Sequence, residues 1–251
     1  MKDPHAPPTS LTIMQPPREP FFIFSADGIF YSLNGEGATI GYPAVYARLH
    51  GCNLNCSWCD TPYTWNRSLT EFHEYLQRGR LSIPDTLEQL IAADVSGCKR
   101  LVFTGGEPLL QQKAIAAILP QLTHWSVEVE TNGTIAPQKE LFDCQFNCSP
   151  KLPNSGISAE RAVKPQAIHT LKGLNTYFKF VVRTANDVAE MQRIYEQPFQ
   201  IPRDRIILSP EGITVSDTVR VMQNLAEIAK DQGYRLTPRL HILLWGDTRR
   251  T

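Results

Sequence analysis

The chemistry of this chain starts at Cys52, Cys56 and Cys59, a Cys-x3-Cys-x2-Cys set inside the run Gly-Cys-Asn-Leu-Asn-Cys-Ser-Trp-Cys-Asp-Thr, residues 51–61. Structural zinc is usually closed by four ligands, with cysteine pairs recurring in two halves of a sequence. Three close thiolates without an evident fourth suit an iron–sulfur cluster better. Three cysteines hold three irons of a [4Fe–4S] cube, and the fourth iron stays open to a small molecule, which makes the run a catalytic site. Two alternatives remain on spacing alone: three buried thiols, or a zinc knuckle whose fourth ligand is distant, such as His50 or His73.

Four further clusters carry polar atoms beside turn-forming residues. They are Thr104-Gly-Gly-Glu-Pro108, Glu130-Thr-Asn-Gly133, Ser149-Pro-Lys151 and Ser209-Pro-Glu-Gly212. Glycines at 105 and 106 let the backbone approach a ligand closely, and Glu107 offers an acceptor. The alternative is plain turn chemistry, with Pro108 in the first turn of a helix.

These clusters need elements to hold them. The fold is expected to begin at Phe21, with a short strand running into a glycine turn over 28–37 and a first core strand over 43–50. Residues 62–80 are expected to form a loop with a short helix. Strands are expected at 100–104, 126–130, 145–148, 177–182, 205–208 and 240–244. Helices are expected from a capping start at Asp85 to about 95, over 109–119, after a cap at Asn186, and from about 216 to 232 before Gly233. Strands alternating with helices indicate a parallel sheet, whose ligand site lies at the strands' C-terminal ends. Every polar cluster named above falls at such an end. In the expected last strand, Arg239, His241, Leu243 and Trp245 share one face, and Leu240, Ile242 and Leu244 share the other. The aliphatic face should pack on the core; the Arg239/His241 face should either look into the substrate end or form the polar face of an edge strand, with Trp245 as a dimer contact.

The 251 residues suffice for one sizeable core. Lys+Arg and Asp+Glu are equal at 25 each, so neither nucleic acid nor an anionic membrane is an implied partner. Six prolines among residues 1–20 argue for an extended or disordered tail, within which Met14 is an alternative start. No apolar run reaches membrane length and no secretory leader is visible. Of the six cysteines, Cys98, Cys144 and Cys148 remain; Cys144 and Cys148 are read as buried thiols. An oxygen-sensitive cluster without a disulfide framework points to the cytoplasm.

The cysteine run, with Trp58 before its last thiol, resembles the radical S-adenosylmethionine (SAM) superfamily, whose signature is Cys-x3-Cys-x-aromatic-Cys. The resemblance implies an α/β fold, an open partial (β/α)6 TIM-like barrel in a single domain. That domain would span 21–246, flanked by a tail at 1–20 and a charged tail at 247–251. It implies a [4Fe–4S] cluster on Cys52, Cys56 and Cys59, and SAM as cofactor. Trp58, Gly106, Glu107, Glu130, Ser149, Pro150, Lys151, Ser209, Pro210 and Glu211 would form the SAM shell.

A narrower resemblance rests on Phe30-Tyr-Ser-Leu-Asn-Gly-Glu-Gly37, Arg48, the Cys-Asp-Thr61 ending of the loop, Thr-Gly-Gly-Glu-Pro and Ser-Pro-Lys. These are similar to the 7-carboxy-7-deazaguanine synthase family, lyases on the route to queuosine. The resemblance implies conversion of 6-carboxy-5,6,7,8-tetrahydropterin with loss of ammonia. Leu33, Asn34, Gly35 and Glu36 would hold the pterin edge, Arg48 a substrate carboxylate, Thr104 the substrate, and Thr61 a Mg2+ ion. A homodimer and an electron donor such as flavodoxin or ferredoxin are implied partners. The chain departs from the family at Asn34, where Gln is frequent, and at its C-terminus beyond Pro238. Two other classes share parts of the pattern: a glycyl-radical-enzyme activase, and a non-catalytic metal-binding module.

Overall fold

Alternate residues of each strand part company in burial, and that alternation builds the molecule. In β2 (Pro43–Leu49) Val45, Ala47 and Leu49 are fully buried in the apolar core, while Tyr46 and Arg48 point into a cavity. The same division holds in β4 (Arg100–Gly105), where Leu101 and Phe103 join the core and Thr104 faces the cavity. It recurs in β5 (Ser126–Thr131), β6 (Gln145–Cys148), β7 (Thr176–Val182) and β8 (Ile206–Pro210). Val129, Phe146, Phe178, Phe180 and Leu208 lie on the apolar face; Glu130, Asn147 and Lys179 lie on the other. Successive side chains of a strand take opposite faces, so one face is fixed as core and the other as polar interior.

Computed as a structural model from the sequence, the structure describes residues 19–246 and Thr248. The expectations for residues 1–18 and for most of the charged tail, with Arg249 and Arg250, lie outside the described residues. Before β2 runs β1 (Phe21–Leu33), and after it come α1 (Thr70–Arg78), β3 (Arg80–Ser82) and α2 (Ile83–Ala93). Then α3 (Gln112–Ile118) follows β4, and α4 (Ala159–Ala162) and α5 (Pro165–Lys172) follow β6. After β7, α6 (Ala185–Met191) passes through a π-helical turn into α7 (Gln197–Phe199). The chain closes with α8 (Val215–Gln232), β9 (Arg235–Leu236) and α9 (Leu240–Trp245).

The strands form one sheet in the order β3-β1-β2-β4-β5-β6-β7-β8-β9. Pairing from β2 to β9 is parallel, and β1 is antiparallel to both β2 and β3. The two edge strands do not pair with each other, so the sheet stays open, as the expected partial barrel requires. Helices cover the apolar face through Leu90 of α2, Ile115 and Ile118 of α3, Ile168 and Leu171 of α5, Met191 of α6 and Leu225 of α8.

Several boundaries differ from expectation. Helix α2 begins at Ile83, because Ser82 and not Asp85 is the cap: its hydroxyl accepts from the Asp85 amide at 3.2 Å. Helix α6 is capped by Thr184 in a capping box with Asp187, two residues before Asn186. The largest correction is at the C-terminus, where 240–244 is helix, not strand. The last pairing position beside β8 is taken by Arg235 and Leu236, and Pro238 has no N–H to extend it. With helical spacing the aliphatic set splits: Ile242 is buried, whereas Leu244 is 49% exposed.

Candidate active site

A cavity of about 350 Å3 opens at the C-terminal ends of the parallel strands. The loop after β2 brings Cys52, Cys56 and Cys59 to its wall. Several neighbouring segments fasten that loop. Gly51 donates to the Thr64 carbonyl at 3.0 Å and accepts from the Glu107 amide at 2.8 Å. Asn132 Nδ2 donates to Asn53 Oδ1 at 2.9 Å, and Arg161 reaches Asn55 Oδ1 at 2.8 Å. The Gly-Gly pair exists for this contact: a Cβ on Gly105 would lie 2.1 Å from the Leu49 carbonyl oxygen, and one on Gly106 would lie 2.1 Å from that of Gly51.

The donor set suits an iron–sulfur cluster. The thiols sit against apolar Leu54, Ile157 and Ala162, and the Leu54 amide points at Cys52 Sγ from 3.5 Å. Burial raises the Cys52 thiol to about 11 and pushes Cys56 up as well. Such thiols become thiolates only when a bound cation offsets the desolvation. Among the described residues no three His, Cys, Asp or Glu side chains gather as ligands of one ion; three thiols on three separate irons need no such convergence. Cys144 and Cys148 are buried away from the cavity wall, as expected, and Cys98 is half-buried.

On the side expected to hold SAM, Trp58, Gly106, Glu130, Ser149, Lys151, Pro210 and Glu211 all line the cavity. Lys151 Nζ donates to Ser149 Oγ at 3.0 Å and stands 5.3 Å over the Trp58 ring. Glu107, Pro150 and Ser209 are not on the wall but behind it. The Glu107 carboxylate is wholly enclosed: Oε1 accepts from the Leu109 amide and the Thr131 hydroxyl, both at 2.9 Å, and Oε2 from the Asn132 amide at 2.6 Å. Burial raises its pKa against the pull of those donors. Glu107 is therefore a strut that sets the turn after β5, a role the sequence does not distinguish from ligand binding.

On the side expected to hold substrate, Leu33, Asn34, Gly35, Glu36, Arg48 and Thr104 all reach the cavity. Asn34 is almost wholly buried and engaged within the protein: Oδ1 accepts from Tyr46 at 2.8 Å and Nδ2 donates to Thr39 at 2.7 Å. Thr104 donates to Glu130 Oε2 at 2.5 Å, and Arg48 lies over the Phe30 ring at 5.6 Å. Thr61 is on the wall with its hydroxyl 3.7 Å from Cys59 Sγ. Arg239, the residue before α9, and His241, within it, do face this end. Arg239 is committed to the protein, donating to Glu36 Oε1 at 2.8 Å, to the Gly212 carbonyl at 2.6 Å and to Asp60 Oδ2 at 2.6 Å.

Four polar residues of the strand interior were not anticipated: Tyr46, Glu128, Asn147 and Lys179. Glu128 is 1% exposed and takes Arg100 at 2.8 Å, Thr39 at 2.7 Å and Asn147 at 3.0 Å. Lys179 pairs with Glu36. The available signal was a charge inside an otherwise apolar strand, as in Thr-Tyr-Phe-Lys-Phe-Val-Val.

The family model of the Radical SAM superfamily matches residues 46–143. The chain is 37% identical to the 7-carboxy-7-deazaguanine synthase of Pyrobaculum aerophilum, over 88% of this chain and 94% of that protein. It is 36% identical to the enzyme of the same name from Rhodopirellula baltica, over 88% and 86%. The fold is shared with the crystal structure of QueE from Escherichia coli, with a TM-score of 0.67 and 24% identity over 87% of this chain and 94% of that one.

Proposed function

This chain belongs to the 7-carboxy-7-deazaguanine synthase family of the radical SAM superfamily, and we propose from that premise that it converts 6-carboxy-5,6,7,8-tetrahydropterin to 7-carboxy-7-deazaguanine with loss of ammonia. One observation carries the reading at the site. A single cavity is lined both by the three-thiol loop and by the charged side chains of Glu36, Arg48, Glu130 and Lys179. A planar polar heterocycle with a carboxylate fits such a lining.

Cys52, Cys56 and Cys59 would hold the [4Fe–4S] cluster. The chemistry the cluster would supply there is one-electron reductive cleavage of SAM, the reductant being an external electron donor. The chain's own residues bind and orient. Lys151 offers the SAM carboxylate a cation held in place by Ser149 and Trp58. Glu130 is aimed by Thr104, and the Gly106 backbone lets the cofactor lie close. Arg48 presents a planar guanidinium for the substrate carboxylate. Glu36 accepts from the N–H edge of the pterin. Thr61, a neutral hydroxyl, would contribute one weak ligand to a Mg2+ ion, which would therefore need substrate to bind well.

An electron donor such as flavodoxin or ferredoxin, a homodimer and a cytoplasmic setting belong to the same proposal. No helix among the described residues is long and apolar enough to cross a membrane. A glycyl-radical activase and a non-catalytic module are not favoured by the relatives.

The test is anaerobic reconstitution followed by incubation with SAM, dithionite, Mg2+ and the carboxytetrahydropterin. The expected products are 7-carboxy-7-deazaguanine and ammonia. Reductive cleavage of SAM with the pterin returned unchanged would defeat the assignment. Cys52→Ala, Cys56→Ala and Cys59→Ala should each lose the cluster, about four irons per chain; Cys98→Ala, Cys144→Ala and Cys148→Ala should keep it.

A further inference from the structure

Glu36 follows β1, yet its carboxylate is gripped from two distant parts of the chain. Lys179 Nζ, from the middle of β7, donates to Oε2. Arg239 Nε, from the residue before α9, donates to Oε1 at 2.8 Å, and His241 Nε2 stands 3.8 Å from that same oxygen. The side chains of Lys179, Arg239 and Glu36 are 10%, 12% and 15% exposed. Burying an ammonium costs several kcal/mol unless a partner offsets it, so a lysine between Phe178 and Phe180 calls for a reason beyond packing.

We propose that Lys179 is a positioning residue for substrate binding: together with Arg239 it holds the Glu36 carboxylate ionised and aimed, with its remaining lone pairs turned to the N–H donors of the pterin edge. The proposal rests on the pterin reading above. A carboxylate has about four acceptor sites; the two cations occupy one on each oxygen and leave one on each. A substrate that fills the cavity strips water from Glu36, and an unaided carboxyl would then take up a proton. Protonated, it would present a donor to an edge that itself only donates. Arg239 divides its guanidinium among Glu36, Asp60 and a carbonyl, so Lys179 supplies the undivided charge.

The electrostatics of the site agree. Burial pushes Glu36 up, but Lys179, then Arg239 and His241, outweigh it and hold the carboxyl well below the usual range. Burial keeps His241 below its ordinary value although Glu36 pulls the other way. Tyr46 from β2 also faces Glu36, and burial first, then Glu130, Glu128 and Glu36, raise its pKa well above the usual value, so it stays neutral. Glu130 from β5 adds to the field that keeps Lys179 charged. Removing the Lys179 charge leaves burial less opposed, so the Glu36 pKa rises, and binding should fall as the pH falls.

The experiment is equilibrium binding of 6-carboxytetrahydropterin to the holoenzyme with SAM and no reductant, from pH 5.5 to 8.5. Lys179→Gln keeps a donor but no charge, and Lys179→Arg restores the charge. The ratio of variant to wild-type Kd cancels the substrate's own titration. For Lys179→Gln it should be about tenfold or more at pH 5.5 and shrink to a few-fold at pH 8.5. Lys179→Arg should flatten the profile. A second measurement uses 13C-glutamate NMR of the ligand-free protein, with Glu36 assigned from Glu36→Gln. Glu36 should stay ionised throughout in wild type and titrate within the window in Lys179→Gln. Arg239→Gln, which removes the other cation, should shift it in the same direction and serves if Lys179→Gln does not fold. A ratio independent of pH, or a Glu36 that stays ionised in the variants, overturns the proposal. Wild-type protein that binds no pterin overturns the functional reading instead, and the NMR arm still decides the charge of Glu36.

Discussion

Glu107 is the residue at which ligand binding and structure are easiest to confuse. Its three donors come from two turns that both border the cavity, so its amide analogue cannot replace it. In Glu107→Gln the side-chain NH2 must face either the Asn132 amide or the Leu109 amide and Thr131 hydroxyl. A buried donor facing a donor costs about 1–3 kcal/mol. A lowered Tm and reduced cluster retention are expected, since Asn132 also holds Asn53 of the cysteine loop; an unchanged melt with weakened SAM binding would instead make Glu107 a direct ligand. Thr61 separates in the opposite direction, because its hydroxyl contacts Cys59 and no backbone group is its partner in that bond. Thr61→Ala should flatten the Mg2+ dependence of turnover while SAM cleavage without substrate continues, and an unaltered Mg2+ response would leave Thr61 with no role at the ion. The cysteine trio was legible because three thiols at fixed spacing have few other uses. Lys179 and Glu128 were not, because one charge in an apolar strand does not say which distant residue pairs with it.

At the scale of elements, the glycines after β4 set the distance between that strand's turn and the cysteine loop. Gly105 has φ +124, outside the range of other residues, and its absent Cβ would strike the Leu49 backbone. Gly97 also has positive φ, +67, but nothing lies within 4 Å of a Cβ there. Gly97→Ala should therefore cost only about 1–2 kcal/mol for the left-handed backbone. Gly105→Ala should separate β2 from β4 and yield protein that is insoluble or retains no iron. Comparable melts for the two variants would show that the close approach is not needed. The strand–helix alternation was readable because one face of each strand is apolar and the loops at one end are polar. Helix α9 was not: six residues rich in leucine and isoleucine satisfy a period of two as readily as one of 3.6, and what ends the pairing before them, Pro238 after β9, and what holds their start, Gly35, Glu36, Asp60 and Gly212, lies outside the run.

At the scale of the whole molecule, the cavity is bordered by two segments, one toward each end of the described chain. The loop after β1 and the start of α9 meet through the Leu240 amide, which donates to the Gly35 carbonyl at 2.9 Å, and through the Arg239–Glu36 pair, 203 positions apart. A Cβ on Gly35 would lie 2.2 Å from His241 Nδ1, so the fit there is close. The junction is made by loop and side-chain contacts outside the sheet, whereas β4, β5 and β6 are paired on both sides. Segments with few bonds open locally before the whole fold does. Residues 239–245 should therefore exchange their amide hydrogens ahead of β4–β6 in the holoenzyme, and pterin with SAM should slow them selectively. Arg239→Gln removes charge-assisted bonds worth about 1.5–3 kcal/mol, which is roughly a ten- to hundredfold faster opening of this segment. Exchange in β5 should stay at its wild-type rate. If 239–245 were instead as protected as β5, and slowed no further by ligand, the two ends would be part of the global core, and substrate would have to enter by another route than their separation.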